Sequence, residues 1–420
     1  MSALDSRAEQ LALYCAFGSA AAALVSIAAS QILLGVGVAA LLVSRRPWRF
    51  PPVLLPLLLF MGGTLVSASL SDDPWSGLPQ FRKFFVWLIL PLVFTTLRPL
   101  KWTQRLHAAW FAIGALASAV ALAQFARKFE EAERLGQDFY QYYVGERISG
   151  FMSHWMTFCG QGLIVLLLVA AFLFFAPNPG RRGWWLALAS AGVLSVALLL
   201  GFTRSIWLGA AGGFLYLVWY WKRALLLAVP ALAGLILWLG PAPVRSRMIS
   251  VFRPHGQQDS NQHRIVCWRT GLRMIQAHPV VGVGPEQVGP QLLRYLPPDI
   301  QPPLPQGWYG HLHSIYVHYA AERGLPTLAA LLWLIGKVLW DCWRAVLRLP
   351  PGRSGEKYVL HGSVAVILGI LVSGVFELNL GDSEILAMFL TVVATAYVAM
   401  EGSYAADAAP AKCSIGELPG

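Results

Sequence analysis

The chain has 420 residues, of which 56% are hydrophobic and 13% are charged, with a formal net charge of +11. Soluble proteins carry about 25% charged residues, so this composition excludes an ordinary soluble domain. Its 17 tryptophans favour a membrane protein, because Trp concentrates at membrane–water interfaces. The positive charge then does not imply nucleic-acid binding, and no nucleic-acid partner is expected.

Apolar runs of spanning length recur along nearly the whole sequence and predict an all-α, polytopic membrane protein of about twelve transmembrane helices. No cleavable signal is evident in Met1–Gln10, so we expect the first helix to act as an uncleaved membrane signal. The predicted spans are 11–29, 31–44, 52–70, 80–97, 105–126, 156–176, 184–201, 206–221, 223–240, 325–345, 358–376 and 384–400.

Basic residues collect in alternate loops, which predicts the orientation of the chain. Short loops rich in Lys and Arg face the cytoplasm, so both termini are expected there. Arg82 and Lys83 are an exception, at the outer start of a span. The basic clusters are Arg45, Arg46 and Arg49; Arg98, Lys101 and Arg105; Arg181 and Arg182; Lys222 and Arg223; and Arg344, Arg348, Arg353 and Lys357.

A polar segment at 241–312 interrupts the spans and is far longer than ordinary connections. The predicted organisation is 1–240 with transmembrane helices 1–9, 241–324 as a large outer loop that carries active-site residues, 325–401 with helices 10–12, and 402–420 as a cytoplasmic tail. The last residues, Gly402–Gly420, are small and polar and predict disorder.

The outer loop is rich in arginine. Its basic residues are Arg245, Arg247, Arg253, Arg264, Arg269, Arg273 and Arg294, against Asp259, Glu286 and Asp299. Guanidinium groups prefer phosphate, so the excess favours an anionic ligand over a solvated surface or contacts to anionic lipid headgroups. Apolar spacing predicts a helix over Ile265–Ala277, with Arg264 at its start, where a helix dipole also favours an anion.

A histidine motif follows, His311-Leu312-His313-Ser314-Ile315-Tyr316. We expect a short helix that begins near His313 and ends at Gly324–Pro326. The positive end of that helix and nearby arginines would keep the imidazole neutral, as a general base requires. A capping or interfacial histidine is the alternative, and it would be preferred if the motif stood alone.

Two further arginines are predicted at the outer face. Arg204 lies in a very short link between apolar spans, where a charge is costly unless it is paired or solvated. The alternative is an arginine that reaches the headgroups. Arg147 precedes another span, with Glu146 or Glu133 as a candidate partner. Arginines clamp a pyrophosphate and stabilise a phosphate leaving group, so together with a histidine base they predict group transfer from a lipid-linked pyrophosphate to an alcohol.

The motifs resemble those of the O-antigen ligase and O-antigen polymerase superfamily. The resemblance rests on His313-Ser314-Ile315-Tyr316 with Glu322-Arg323-Gly324-Leu325, on Arg264 with His278-Pro279-Val280-Val281-Gly282-Val283-Gly284-Pro285, on Arg204-Ser205, and on Arg147-Ile148-Ser149-Gly150-Phe151. Ser314, where asparagine is common, and Pro326, in place of glycine, depart from the pattern.

The resemblance implies a GT-C-like glycosyltransferase of the bacterial inner membrane with its active site on the periplasmic face. It implies transfer of O-antigen from undecaprenyl pyrophosphate to a sugar hydroxyl of lipid A–core, with inversion and without a cofactor or metal, among inner-membrane lipids. His313 would be the base, Arg204 and Arg264 would hold the pyrophosphate, and Arg147 would help them. His311, Tyr316 and Arg269 are candidates for a supporting role.

Several alternatives remain open at this stage. A polymerase would use a second undecaprenyl-pyrophosphate-linked glycan as acceptor, and an anion transporter would line a path with arginines, although no internal repeat supports one. Gly282-Val283-Gly284 is rejected as a dinucleotide loop because no βαβ unit is present. No carboxylate or cysteine completes a metal-ligand spacing around the histidines, so no metal is predicted. Asp72-Asp73 is interpreted as turn chemistry, with a catalytic role as the alternative.

Overall fold

A computed structural model describes residues 3–178, 180–228 and 260–407, together with five isolated positions between 229 and 259. These residues form helices and no strands, which confirms the all-α prediction. The α-helices are α1 (Ala3–Ala22), α2 (Ile27–Val43), α3 (Leu54–Ser69), α4 (Leu78–Trp87), α5 (Ile89–Thr96), α6 (Leu100–Arg134), α7 (Phe139–Gly145), α8 (Trp155–Phe175), α9 (Gly180–Leu200), α10 (Arg204–Lys222), α11 (Ser260–Ala277), α12 (Val288–Gln291), α13 (Ile315–Arg323), α14 (Leu325–Arg348), α15 (Gly355–Ser373) and α16 (Ser383–Asp407). Short 3₁₀ turns cover Pro74–Gly77, Arg223–Ala228, Leu292–Tyr295 and Asn379–Gly381.

The described part of the chain contains 7 helical stretches that are long and apolar enough to cross a membrane. They are Pro74–Thr96, Leu100–Arg134, Trp155–Phe175, Gly180–Leu200, Leu325–Arg348, Gly355–Ser373 and Ser383–Gly402. Helices α2 and α3 are apolar but shorter. The total of about twelve stays a prediction, and the span predicted at 223–240 lies partly outside the described residues.

The first predicted span, 11–29, is wrong in its bounds. Helix α1 ends at Ala22, and α2 begins at Ile27 after Ser26, whose side chain accepts from the backbone N–H of Ala29. Ser19 and Ser30 exchange hydrogen bonds, each hydroxyl donating to the other's carbonyl at 2.8 Å. Small apolar residues continue through this turn, so hydropathy alone does not reveal the hairpin.

The interior of the bundle is formed by α8, α15 and α16. Of their most apolar windows, 83%, 72% and 89% respectively are buried, against 28% for α9. Helix α10 packs closely on α15 through Gly209 and Gly213, where an added Cβ would lie 2.6 Å from the carbonyl oxygen of Gly369 and 2.9 Å from that of Ala365. This spacing of small residues allows close helix contact in membranes, and it fixes the position of Arg204 at the start of α10.

The two ends of the bundle differ in charge. Near the C-terminus of α16, Glu401 accepts hydrogen bonds from Arg49 at 2.7 Å and from Arg98 at 3.2 Å. A large polar cavity lies at the opposite end, beside Ile385 near the start of the same helix. At 1.5 Å per residue the two positions are roughly 25 Å apart. Two of the basic clusters predicted for the cytoplasmic side therefore lie at the end away from the cavity.

The segment between α10 and α14 has a small core of its own. Its buried members are Cys267, Met274, Val283, Val288, Tyr295, Leu312 and Ala321. Two family-like motifs meet here, because the N–H groups of Val283 and Gly284 donate to the carbonyls of Ala321 and Glu322, each at 2.9 Å. Gly324 has a φ of +82°, and a Cβ there would lie 2.0 Å from the carbonyl oxygen of Val280. The glycine-rich stretch therefore serves close packing against α13.

The helical tail extends further than predicted. Helix α16 continues to Asp407, so the predicted tail 402–420 begins as helix rather than as disordered chain. The remainder of that tail lies outside the described residues.

Candidate active site

A cavity of about 740 Å³ brings together five of the predicted site residues. They are Arg147, Arg204, Arg264, His311 and His313. These side chains come from the α7–α8 link, the start of α10, helix α11 and the segment before α13. Residues far apart in sequence thus share one solvent-accessible chamber.

Arg204 begins α10, directly after the short link that the sequence predicted. Arg204 is 9% exposed, and its Nη2 donates to Oδ1 of Asn261 in α11 at 2.8 Å. Phe202, in the link, has a left-handed φ of +49° and is fully buried. The buried aromatic ring anchors this sharp turn, so Arg204 is held at the cavity wall.

Arg264 lies in the second turn of α11, because that helix begins at Ser260. The prediction of a helix start at Ile265 is wrong, since the polar residues before the apolar face are helical as well. Direct assistance from the helix N-terminus therefore does not apply to Arg264. Its Nε donates to the carbonyl of Phe376 at 3.1 Å, and its Nη2 to Oε1 of Glu377 at 2.5 Å.

Glu377 connects the site residues and was missed by the sequence argument. The residue is 1% exposed, and besides Arg264 its Oε1 accepts from the hydroxyl of Ser205 at 3.1 Å. Its Oε2 is buried without a hydrogen-bond partner and lies 3.9 Å from Nδ1 of His313. Burial would raise the pKa of Glu377, but Arg264 and His313 outweigh it and hold that pKa below its usual range. A carboxylate therefore remains charged at this position.

His313 precedes α13 rather than beginning it. Ser314 is the N-cap, and its side chain accepts from the backbone N–H of Val317. The backbone of His313 is left-handed, with a φ of +48°, and its N–H donates to Nδ1 of His311 at 3.2 Å. Asparagine and serine both cap helices well, so the departure at Ser314 keeps the local fold. Pro326 likewise fits the first turn of α14.

Two neutral histidines surround His313. The ring of His311 lies 4.1 Å and that of His263 lies 4.8 Å from the ring of His313, centre to centre. Burial lowers the pKa of His311 to about 2 and that of His263 to about 4, with His313 pushing both in the same direction. Both rings are therefore uncharged near neutral pH.

Arg147 also lines the cavity. Its guanidinium donates to the carbonyls of Val144 at 3.3 Å and Phe202 at 3.4 Å, and it stacks over the ring of Trp155. Of its two suggested partners, Glu146 instead binds Lys128 at 3.2 Å.

The turn after Arg147 is built around a glycine. Gly150 has a φ of +59°, and a Cβ there would lie 2.8 Å from the ring of Phe158. The side chain of Gln124 accepts from the N–H groups of Ser149 and Gly150, each at 3.0 Å. The Arg-x-x-Gly-Phe pattern therefore corresponds to a turn that places Arg147 at the cavity.

Two of the predicted supporting residues lie elsewhere. Arg269 forms an exposed two-bond ion pair with Asp299, at 2.7 and 2.8 Å, and is not among the residues that line the cavity. Tyr316 donates to the carbonyl of Leu371 at 2.9 Å, between helices. The structure thus gives both residues packing or surface contacts.

Three of the four described arginines in 260–312 make contacts at the protein surface. Arg273 donates to the carbonyl of Leu296, and Arg294 pairs with Asp72 at 3.4 Å. Among the described arginines of 260–312, Arg264 is the one that lines the cavity. Asp73 caps the turn at Pro74–Gly77, which confirms its interpretation as turn chemistry. Arg247 and Arg253 lie outside the described residues.

The cavity lining also includes Lys83 and three carboxylates, Glu286, Glu322 and Asp382. Lys83 belongs to the basic pair that broke the orientation pattern, and its place among these carboxylates explains that exception. Glu286 accepts a hydrogen bond from Gln80, and Asp382 accepts one from Thr157. The lining therefore carries carboxylates as well as arginines.

A possible metal-ligand group lies at the edge of the site. One ligand atom each from His263, Cys267 and His313 falls within 4.8 Å of the others. His263 and Cys267 are one turn apart on α11. The argument that no cysteine completes a ligand set is therefore wrong, because it left His263 outside the helix that carries Cys267.

The middle part of the chain matches a known protein family. Residues 189–332 match a family model described as O-antigen ligase, and this segment contains Arg204, Arg264 and His313. A comparison with curated proteins gives no match. The apolar helices and the family together identify a membrane protein with an enzymatic role. The resemblance drawn from the motifs is confirmed over this segment: residues 189–332 are similar to the O-antigen ligase family.

Proposed function

We propose that the protein transfers an O-antigen glycan from undecaprenyl pyrophosphate to a sugar hydroxyl of lipid A–core at the periplasmic face of the inner membrane. The observation that carries this proposal is the meeting of Arg147, Arg204, Arg264 and His313 in one cavity. Guanidinium groups bind phosphate oxygens by charge-assisted hydrogen bonds, and histidine is the commonest proton acceptor in catalysis.

The charges that line the cavity suggest how the substrates lie. A diphosphate favours the guanidinium groups of Arg147, Arg204 and Arg264. Sugar hydroxyls are neutral and donate hydrogen bonds to carboxylates. We therefore assign Glu286 and Asp382 to the sugars.

The hydrogen bonds of His313 support its proposed role as base. Its Nε2 lies 3.2 Å from the carbonyl oxygen of Trp308, which can only accept, so Nε2 carries the proton and Nδ1 the lone pair. Nδ1 takes the proton of the acceptor hydroxyl as that oxygen attacks the anomeric carbon. The resulting imidazolium faces Oε2 of Glu377, 3.9 Å away, and the buried carboxylate stabilises its charge.

The leaving group departs from the opposite face of the sugar. The bond between the anomeric carbon and the phosphate oxygen breaks, its electron pair stays on the diphosphate, and the configuration inverts. Arginine side chains stabilise the charge that grows on that oxygen. The chain's own residues thus supply the base and the anion stabilisation, and we propose that no metal is required.

A reconstituted transfer assay tests the proposal. Purified protein is mixed with undecaprenyl-pyrophosphate glycan and lipid A–core, and ligated product is followed on gels with and without EDTA. We expect product in both conditions, and a loss of about 10²-fold or more in His313→Ala. His278→Ala is the matched control, because that histidine binds Tyr295 in the outer segment and is not a cavity residue.

The same assay separates the ligase from a polymerase. With lipid A–core omitted, a polymerase would lengthen the lipid-linked glycan, whereas a ligase would give no product. Wild-type rates in His313→Ala would overturn the base assignment, and product that disappears in EDTA would overturn the metal-free mechanism.

A further inference from the structure

His263, Cys267 and His313 form a compact group of metal-binding side chains at the inner edge of the cavity. His263 and Cys267 are 5% and 0% exposed, and Sγ of Cys267 lies 3.7 Å from Nε2 of His263. In a tetrahedral zinc site, Zn–S and Zn–N bonds of about 2.3 and 2.0 Å place sulfur and nitrogen about 3.5 Å apart. This pair is therefore already spaced as zinc ligands.

The third ligand can reach the same point with a small movement. All three ligand atoms fall within 4.8 Å of one another, so His313 has to approach by roughly 1 Å. Its side chain lines the cavity. The cavity itself supplies a fourth position for water, as in zinc sites with three protein ligands.

We propose that these three residues bind Zn²⁺ and that the bound ion withdraws His313 from catalysis. Zinc bound at this site inhibits transfer and does not act as a cofactor. The metal would occupy the imidazole lone pair that accepts the substrate proton, and this second part rests on the proposed function of His313.

The donor set selects the type of metal. One thiolate and two imidazoles suit Zn²⁺, whereas Mg²⁺ requires oxygen ligands. Arg264 follows His263 directly and disfavours a cation held by charge alone. On binding, the Cys267 thiol loses its proton to the solvent of the cavity and forms a sulfur–metal bond, while the rings donate lone pairs without loss of a proton.

Cobalt absorption tests the site without any activity measurement. Co²⁺ replaces Zn²⁺ in such sites and gives a sulfur-to-metal charge-transfer band that requires a bound thiolate. Purified wild-type protein titrated with Co²⁺ should show this band, and Zn²⁺ should abolish it. Cys267→Ser should lose the band, whereas Cys342→Ser, a matched change of a fully buried cysteine in α14, should keep it. Absence of the band in wild type would overturn the proposal.

Inhibition is tested separately in the transfer assay. Zn²⁺ should reduce wild-type transfer at least 10-fold, and EDTA should restore it, while Cys267→Ser should lose at least two thirds of that effect relative to its own metal-free rate. A cobalt band without inhibition would leave the metal site standing and overturn its link to His313. Full transfer in His313→Ala would instead refute the proposed base, whatever the cobalt result.

Discussion

Glu377 is a site residue that the hydropathy profile did not reveal. It binds Ser205 and Arg264 and faces His313, so it connects three of the segments that build the cavity. The sequence placed it between the predicted spans 358–376 and 384–400 without a role. A carboxylate at the end of an apolar run is a usable signal, because a charge there is costly unless it is paired.

Replacing this carboxylate should impair transfer more than folding. Glu377→Gln keeps the size of the side chain but removes the charge that positions Arg264 and stabilises protonated His313, so we expect transfer to fall about 10-fold or more. Glu377→Asp, which retains the charge, should recover part of the rate. Both are measured as initial rates of ligation, with thermal unfolding recorded alongside.

The control for that experiment is Glu146→Gln, an exposed glutamate paired with Lys128. Its rate should stay near that of the wild type. If Glu377→Asp were as slow as Glu377→Gln while both unfolded normally, the carboxylate would not be acting through its charge.

Helices were predicted more reliably than their ends. Apolar periodicity locates α11 but not its first turn, because Ser260–His263 carry polar side chains and contribute little to the periodic signal. Hydropathy likewise joins α1 to the turn before α2. Caps and side-chain hydrogen bonds decide such ends, and those depend on partners that one segment does not contain.

Helix α13 carries a buried ionic group around Glu322. Glu322 is 2% exposed, binds Nε of Arg323 at 2.9 Å and lies 3.4 Å from Nε2 of His318. It also accepts from the backbone N–H of Glu286 at 3.0 Å. Burial would raise the pKa of Glu322, but the charges of His318 and Arg323 and these hydrogen bonds outweigh it and lower that pKa.

This arrangement predicts a pH-dependent contribution to stability. The folded pKa of Glu322 lies below the unfolded value of about 4.3, so its stabilisation is present above that pH and is lost as pH falls through the folded pKa. Glu322→Gln should cost about 3–5 kcal/mol at pH 7, and the difference from wild type should shrink below about pH 4.3.

Thermal unfolding in detergent across this pH range measures the effect. Glu130→Gln, which removes an exposed partner of Arg134, should change little at any pH. A difference between wild type and Glu322→Gln that stayed constant from pH 7 to about pH 3 would contradict the linkage.

At the scale of the whole molecule, the sequence predicted the helical class, most helix positions and the meeting of the arginines with His313. It did not exclude Arg269, which was a candidate for a supporting role but does not line the cavity. Arg264 and Arg269 look alike in the sequence, yet one lines the cavity and the other pairs with Asp299. Such a choice depends on how α11 is rotated against the bundle, and local patterns do not encode that rotation.

The orientation in the membrane stays a prediction with a direct test. Single cysteines are placed at exposed positions of the two ends, Gln137→Cys beyond α6 and Arg353→Cys between α14 and α15, in a variant lacking Cys413. A membrane-impermeant maleimide applied to spheroplasts should label Gln137→Cys at once and Arg353→Cys only after lysis. The reverse pattern would place the cavity on the cytoplasmic face and refute the proposed substrates.

The size of the cavity has a consequence for how long polymers are handled. Pockets of about 300–1,000 Å³ enclose ligands of drug size, and at about 740 Å³ this one matches a diphosphate with its first sugars. Under the proposed function, a glycan of many repeats would extend into the surrounding water. The protein would then contact the junction between lipid and glycan, and its rate of transfer would not depend on the number of repeats beyond that junction.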